Sequence, residues 1–290
     1  MLIGCDGVNS LAGKFLGFKK PAYTGRSAMR GSADFKANHG LGSNFLLFFG
    51  NGSRSGFIPC DDTTVYWFFT WTPSDQGNEQ CLNCVSVITN PICFLTFAIR
   101  TNSFFLSDNK ELKDNPAKMK QFVLSNLGNV PDQVRSFVEI TELDCFIPFP
   151  LRYRHPWEVL WGNISKGNAC VAGDALHPMT PDIGQGGCAA LEDGVILARC
   201  LAEALNKKVS AETKDREKEE YRRIEMGLKK YAKERRWRSF ELICTAYVVG
   251  AVQESQGKIM NFLRDAIMAK FLAKLLLRKA DFDCGKLHIS

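Results

Sequence analysis

Residues 170–193, Cys-Val-Ala-Gly-Asp-Ala-Leu-His-Pro-Met-Thr-Pro-Asp-Ile-Gly-Gln-Gly-Gly-Cys-Ala-Ala-Leu-Glu-Asp, constrain this chain more than any other stretch. The pattern predicts a short buried strand, a loop stiffened by Pro178 and Pro181, and a glycine-rich turn into a helix. Cys170, Val171 and Ala172 supply the apolar run, and Asp174 falls where the strand ends, the usual place for a ligand-facing carboxylate in an α/β sheet. Gly184, Gly186 and Gly187 let the backbone approach a ligand closely and leave free N–H groups at the positive end of a helix dipole. Leu191, Val195, Ala198, Leu201 and Leu205 fall at near-helical spacing on one face, which supports that helix. A carboxylate beside such an N-terminus suits sugar or ribityl hydroxyls on one side and a negatively charged carbonyl or phosphate on the other. The plainer alternative is a strand–loop–helix connection whose glycines serve packing alone. Gly184-x-Gly186-x-x-Ala189 also fits the dinucleotide fingerprint, but a proline-stiffened loop separates it from the strand that the fingerprint should follow directly.

Gly173-Asp174-Ala175-x-His177-Pro178-x-x-Pro181-x-x-Gly184-Gln185-Gly186 resembles the second FAD-binding motif of the single-component flavoprotein aromatic hydroxylases and monooxygenases. That family includes para-hydroxybenzoate hydroxylase, salicylate hydroxylase and the plant zeaxanthin epoxidase-like monooxygenases, to which the motif is nearer. The opening Leu2-Ile3-Gly4-Cys5-Asp6-Gly7-Val8-Asn9-Ser10 resembles the family's Asp-Gly motif. Lys14 stands where the family usually has an Arg, which keeps the charge and loses the bidentate fork. The resemblance extends over nearly the whole chain, including the closing residues 280–287. It implies NAD(P)H-driven hydroxylation or epoxidation of a small organic molecule by molecular oxygen, with FAD as cofactor, through a flavin C4a-hydroperoxide. The cofactor carries the hard step, so no side-chain nucleophile is required and no catalytic residue is assigned. The resemblance places Asp6 and Gly7 near the pyrophosphate and Asp174 on ribityl or ribose hydroxyls. It places Pro178, Pro181, Gly184, Gln185, Gly186 and Gly187 against the flavin, and His177 in a structural role within the loop.

The implied fold is α/β with an α+β substrate domain: an incomplete Rossmann-like FAD-binding domain, an antiparallel-sheet substrate domain and C-terminal helices. Residues 1–25 are expected to close the first FAD-binding segment, 26–150 to form the substrate domain, 151–205 the second FAD-binding segment and 206–290 the C-terminal helices. Family members open with a Gly-x-Gly-x-x-Gly turn that holds the adenosine diphosphate half of FAD. No such motif precedes Asp6, so the expectation is an N-terminally truncated chain. Two alternatives stand beside the monooxygenase: a non-catalytic remnant or partner-binding pseudoenzyme, and a flavin reductase or oxidase without oxygenation.

Asn44–Gly50, Gly56–Cys60 and Thr63–Thr72 are short, aromatic and β-branched, and Asp61-Asp62 is a good turn pair between the last two, so an antiparallel sheet is predicted. Its aromatics Phe45, Phe48, Phe57, Trp67 and Phe69 are read as core, while Arg30, Arg152 and Arg154 are noted as cations near the site. Residues 77–107 break the pattern, with Glu79 and Arg100 as their only charges, and are read as translated intron. Cys81-x-x-Cys84 with Cys93 lacks the fourth ligand of a structural zinc site, so no metal is expected.

At 290 residues and 45% hydrophobic content, the chain can bury a sizeable core. Eleven cysteines without a signal peptide fit reduced intracellular thiols, in cytoplasm or plastid. Ile259–Leu277 is the most apolar stretch, yet Arg264, Asp265, Lys270 and Lys274 interrupt it, so no transmembrane span is expected. Residues 207–238 hold thirteen Lys/Arg against seven Asp/Glu, which accounts for the whole formal charge of +6. Tyr221, Ile224, Leu228 and Tyr231 recur there at helical offsets, predicting an amphipathic helix with a solvated basic face that braces the cofactor domain. That reading is preferred to a peripheral membrane contact, and no nucleic-acid partner is expected.

Overall fold

The structure is a computed structural model and describes residues 1–49, 53–72, 115–206, 213–253 and 278–286. The segment 77–107, its three cysteines and Ile259–Leu277 lie outside these residues. The chain divides into two compact units, one of Met1–Ala22, Arg152–Val252 and Gly257–Ser290, the other of Tyr23–Leu151 and Gln253–Gln256.

The second unit is built on an antiparallel sheet. Its strands are β2 (Ala22–Asp34), β3 (Leu46–Phe49), β4 (Ser53–Pro59), β5 (Thr64–Trp71) and β6 (Ile147–Tyr153), in the order β3-β4-β5-β2-β6. The turn between β4 and β5 forms as its sequence requires: Asp61 Oδ1 accepts the N–H groups of Thr63 at 2.8 Å and Thr64 at 2.7 Å. Alternation along β5 sends Val65, Trp67, Phe69 and Trp71 into the core. They meet α2 (Pro116–Asn126), which buries Met119 and Val123, and α3 (Asp132–Ile140), which buries Val134, Phe137 and Val138. Asn115 caps α2 by accepting the Lys118 N–H, and Pro116 stands at its first turn. The expectation that Phe57, Trp67 and Phe69 are core holds, whereas Phe45 is 54% exposed and precedes β3 rather than lying in it.

The first unit carries a three-stranded sheet in the order β1-β8-β7, from β1 (Leu2–Gly4), β7 (Ser165–Lys166) and β8 (Ala169–Val171). β1 and β8 run parallel, with Leu2 opposite Ala169 and Gly4 opposite Val171. Short α1 (Leu11–Phe15) follows β1, and α4 (Pro156–Trp161) precedes β7. Two long helices complete it, α5 (Gly186–Leu205) and α6 (Thr213–Gln253). The core joins Cys170, Val171, Leu176, Ile196, Leu228 and Tyr231. Among the described residues no helix is long and apolar enough to cross a membrane, and all eight described cysteines are free thiols.

Candidate functional site

Parallel pairing of β1 with β8 brings two strand ends side by side, so Asp6-Gly7 and Gly173-Asp174 both leave the carboxyl edge of the same small sheet. Asp6 is used internally. Its Oδ1 accepts the Ser10 hydroxyl at 2.5 Å, and its Oδ2 accepts the amides of Leu11 at 2.7 Å and Ala12 at 3.2 Å. The Ser10 hydrogen bond, with the backbone amides, holds its carboxyl below the ordinary value. Gly7 sits beside it at φ +77, with open space where a Cβ would be. Asp174, by contrast, is exposed and has no partner among the described residues. Its 3-10 turn, Gly173–Ala175, packs on α5, with a Cβ at Gly173 lying 3.5 Å from that of Ala190.

The loop from Leu176 returns to α5 through a second 3-10 turn, Pro181–Ile183, closed by Gly184 at φ +63 with its N–H on the Pro181 carbonyl at 3.1 Å. That left-handed position accounts for Gly184 in backbone terms. Gly186 and Gly187 have no such account. They occupy the first turn of α5, where the nearest atom to a Cβ at Gly186 is Met179 Cγ at 3.9 Å and none lies within 4 Å at Gly187. Gln185 stands at the N-cap position without a side-chain capping bond, which leaves the first amides of α5 uncapped by it. Two buried polar atoms at this cradle, Thr180 Oγ1 and Gln185 Oε1, have no hydrogen-bond partner among the described residues. The structure thus gathers Pro181, Gly184, Gln185, Gly186 and Gly187 in one continuous turn, with Asp174 on the strand side.

Behind this loop lies a layer of charge that the sequence reading missed. Asp193, fully buried, accepts the Gly173 N–H at 2.6 Å and His177 Nε2 at 2.8 Å on Oδ2, and Arg235 Nε at 2.5 Å on Oδ1. Arg235, also fully buried, donates further to Glu192 Oε2 at 2.8 Å and to the Ala189 carbonyl at 3.1 Å. Arg238 completes the layer with bonds of 3.0 and 2.7 Å to the two oxygens of Glu192. Burial alone raises the pKa of Asp193. Hydrogen bonding by His177, the Arg235 charge and the Gly173 amide outweigh it and leave the value below normal. Glu192 behaves likewise, its burial outweighed by Arg238 and Arg235. His177 is therefore structural in placement, packed inside the loop and tied to α5.

This layer bears on two readings of the sequence. The predicted apolar face of α5 is not the buried one: Leu191 is 75% exposed and Leu205 is 41% exposed, while Ala189, Glu192, Asp193, Ile196, Leu197 and Cys200 face inward. The face turned inward carries the two acids beside Ile196 and Leu197, and arginines of α6 neutralise them there. On α6 the basic face is not uniformly solvated, since Arg223, Arg235 and Arg238 are buried, and Tyr221 is exposed while Leu228 and Tyr231 are inside. A sequence signal did exist, the adjacent pair Glu192-Asp193 within an apolar helix and Arg235-x-x-Arg238 downstream, but hydropathy periodicity scores both as surface.

Arg154, noted from sequence as a cation, grips the loop from another side. Its guanidinium donates to the carbonyls of Leu176 at 2.9 Å and Ala175 at 3.1 Å and lies 4.3 Å from the Phe18 ring, while its backbone N–H meets the Pro178 carbonyl at 2.9 Å. Among the described residues Arg152 reaches the Pro21 carbonyl, at 3.4 Å. Beneath the loop, burial pushes the Cys170 thiol up to about 12. In the second unit, the sheet face opposite α2 and α3 carries Arg30, exposed and 5.5 Å from the Phe149 ring, directly across from Phe68. Phe68 lies over Gly56, where a Cβ would come within 2.3 Å of its ring.

Comparison with known proteins fits this geometry. Residues 152–231, which span the loop, α5 and the adjoining part of α6, match the FAD binding domain family. The chain is 51% identical to Monooxygenase 2 of Arabidopsis thaliana over 288 residues, 99% of this chain and 62% of that protein. It is 27% identical over 241 residues to a chloroplastic zeaxanthin epoxidase of an Oncidium hybrid cultivar, 82% of this chain and 29% of the other. Its fold superposes on Klebsiella pneumoniae HpxO, solved with FAD and uric acid, with a TM-score of 0.65 and 18% identity over 97% of this chain and 59% of that one. The chain therefore spans about three fifths of the length of Monooxygenase 2. Uncapped helix amides, orphaned polar atoms and glycines with open space beside them suit a flavin, and the match to the FAD binding domain family falls on this loop and helix, within a chain similar over 99% of its length to Monooxygenase 2.

Proposed function

We propose that this chain carries the flavin-facing and substrate-facing parts of a monooxygenase that uses NAD(P)H and molecular oxygen to hydroxylate or epoxidise a small organic molecule. The observation that carries this reading is Gly186-Gly187 at the start of α5. Glycine in a helix costs about 0.5–1 kcal/mol relative to alanine, and no protein atom obliges it at either position. Open space held against a helix N-terminus, beside the unpartnered Thr180 Oγ1 and Gln185 Oε1, fits a planar polar ligand with carbonyl oxygens. FAD, when bound, supplies hydride acceptance and oxygen activation. The protein's own contribution is to bind and orient. Asp174 accepts sugar or ribityl hydroxyls, the α5 dipole favours negative charge on the flavin carbonyl nearest it, and the proline-stiffened loop keeps water from that edge. The aromatic face of the second unit, with Phe68 and Phe149 flanked by the guanidinium groups of Arg30 and Arg54, offers apolar surface and positive charge for an organic substrate.

The test is a titration of the purified chain with FAD, followed by quenching of flavin fluorescence, beside Asp174→Ala. Each charge-assisted hydrogen bond to the carboxylate is worth about 1.5–3 kcal/mol. Asp174→Ala is therefore expected to weaken binding about ten- to a hundredfold while leaving the unfolding midpoint in place. Absence of quenching by wild type at millimolar FAD, or equal affinity of the variant, would defeat the reading. With flavin bound, NAD(P)H-dependent oxygen uptake yielding an oxygenated product completes the assignment.

A further inference from the structure

The geometry points to Arg235 as the residue that positions the flavin cradle, an inference that rests on the flavin reading above. It lies on α6, about fifty residues beyond the loop in sequence, and touches none of the atoms that would face a ligand. Through Asp193, however, its place fixes both ends of the Gly173–His177 segment, because one carboxylate oxygen accepts the Gly173 N–H at 2.6 Å and His177 Nε2 at 2.8 Å. The same guanidinium holds the Ala189 carbonyl at 3.1 Å, in the first turn of α5 and three residues past Gly186. The start of the loop and the helix N-terminus are the two walls of the cradle, and Arg235 is bonded toward both.

Stability alone does not call for this arrangement. Buried ion groups are often no more stabilising than well-packed apolar residues of the same volume, whereas breaking one partner is costly. What a planar guanidinium adds is direction, since its donors are fixed in a fork. The segment it governs has few other directional ties of this kind, the main one being Arg154 on the carbonyls of Ala175 and Leu176. The amides of Leu176 and His177 both close on the Gly173 carbonyl at 2.9 Å, so their protection reports whether that turn is held.

The experiment compares Arg235→Met, Arg235→Lys, Asp193→Asn and the double variant Asp193→Asn/Arg235→Met with the wild-type chain. Three quantities are read: the denaturation midpoint, amide hydrogen exchange at Gly173, Leu176 and His177 relative to the β8 amides, and FAD affinity by fluorescence. Arg235→Met is expected to speed exchange at the three loop amides about tenfold beyond any change in β8, and to weaken FAD at least about tenfold. The double variant removes the unpaired buried charge, so its midpoint recovers toward wild type while loop exchange and FAD affinity stay defective. Arg235→Lys, keeping charge without the fork, restores only part of the protection. Recovery of loop protection and FAD affinity together with stability in the double variant would reduce Arg235 to a structural charge and overturn the inference. Wild-type behaviour of both in Arg235→Met would do the same. If Arg235→Met does not fold, the Asp193→Asn and double variants decide the question by the same readouts. Failure of wild type to bind FAD refutes the functional reading instead, and the exchange data then still show whether Arg235 holds the turn.

Discussion

The two units are held together by different chemistry. In the second, rings meet rings: Trp67 lies 5.1 Å from Phe146, Phe57 lies 5.7 Å from Phe137, and Phe69 stacks on Trp71 at 5.7 Å. The first has ring pairs as well, such as Trp157 stacked on Trp161 at 5.2 Å, but around its loop and helix ends arginines meet carbonyls and carboxylates. Arg236 donates to the carbonyls of Val159, Leu160 and Gly162 at the end of α4, at 2.6, 2.6 and 2.9 Å. Arg223 takes the last carbonyls of α5, reaching Ala204 at 2.8 Å and also Leu205. Apolar packing is strong but non-directional, and a ring can slide by a fraction of an ångström at small cost. A guanidinium on a carbonyl fixes a named backbone atom along a named direction. A unit that must hold a loop and a helix end against a ligand gains from the second kind of bond; the second unit has it too, as in Arg135 on the Leu124 carbonyl at 3.2 Å, but outside its aromatic core.

Ring packing in the second unit is most sensitive to substitution at Trp67. This indole is fully buried and donates to Thr141 Oγ1 at 2.9 Å, and Gly31 across the strand has no side chain because a Cβ there would lie 2.5 Å from the ring. Trp67→Ala leaves a large cavity and is expected to cost about 3–5 kcal/mol. The loss, measured by urea unfolding, should be nearly the same at pH 7 and pH 5 and in low or high salt, since no charge is removed. A loss that changed strongly with salt would mean that the second unit, too, depends on electrostatics.

Acid should act on the first unit. The folded pKa values of Asp193 and Glu192 lie below their ordinary ones. A depressed carboxylate contributes stability that is present above its unfolded pKa and is lost as pH falls through the folded value. For these two groups the window opens near the ordinary carboxylate range, about 4, and extends downward. Amide resonances of Gly173 and His177 should therefore weaken on titration from pH 6 to pH 3 before those of Phe57 and Trp67. Loss of the Phe57 and Trp67 signals first would reverse the contrast between the units.

These differences also explain what could be seen in the sequence. The strand alternation of Val65, Trp67, Phe69 and Trp71 is legible because hydropathy and burial agree there. The glycine and proline loop after β8 is legible because only a few backbone shapes accept Pro178, Pro181 and Gly184 in that order. The buried layer is not legible by the same rules. Glu192, Asp193, Arg235 and Arg238 cancel one another only after α5 and α6 are placed together, a tertiary fact that overrides the polarity of each residue alone. The inner face of α5 carries those charges together with Ile196 and Leu197, and Leu191 is left outside. Asp6 shows a milder form of the same limit. Its motif marks a ligand-side position, while its oxygens are already engaged in holding Ser10, Leu11 and Ala12.

The smallest expected effect separates the two kinds of demand within a single residue. Gly187 lies in the first turn of α5 with no atom within 4 Å of where a Cβ would stand, and it is exposed. Nothing in the protein penalises a methyl group there, and alanine has the higher helix propensity. Gly187→Ala should therefore stabilise the ligand-free chain, by about 0.5–1 kcal/mol at most and less because the site is at a helix end. The same methyl group would project into the space the flavin needs, so FAD affinity should fall while the unfolding midpoint rises. Stability and function moving in opposite directions is the signature of a glycine kept for a ligand. If the midpoint falls with the substitution and FAD affinity does not change, the glycine serves the helix itself, and the open space beside it has no bearing on flavin binding.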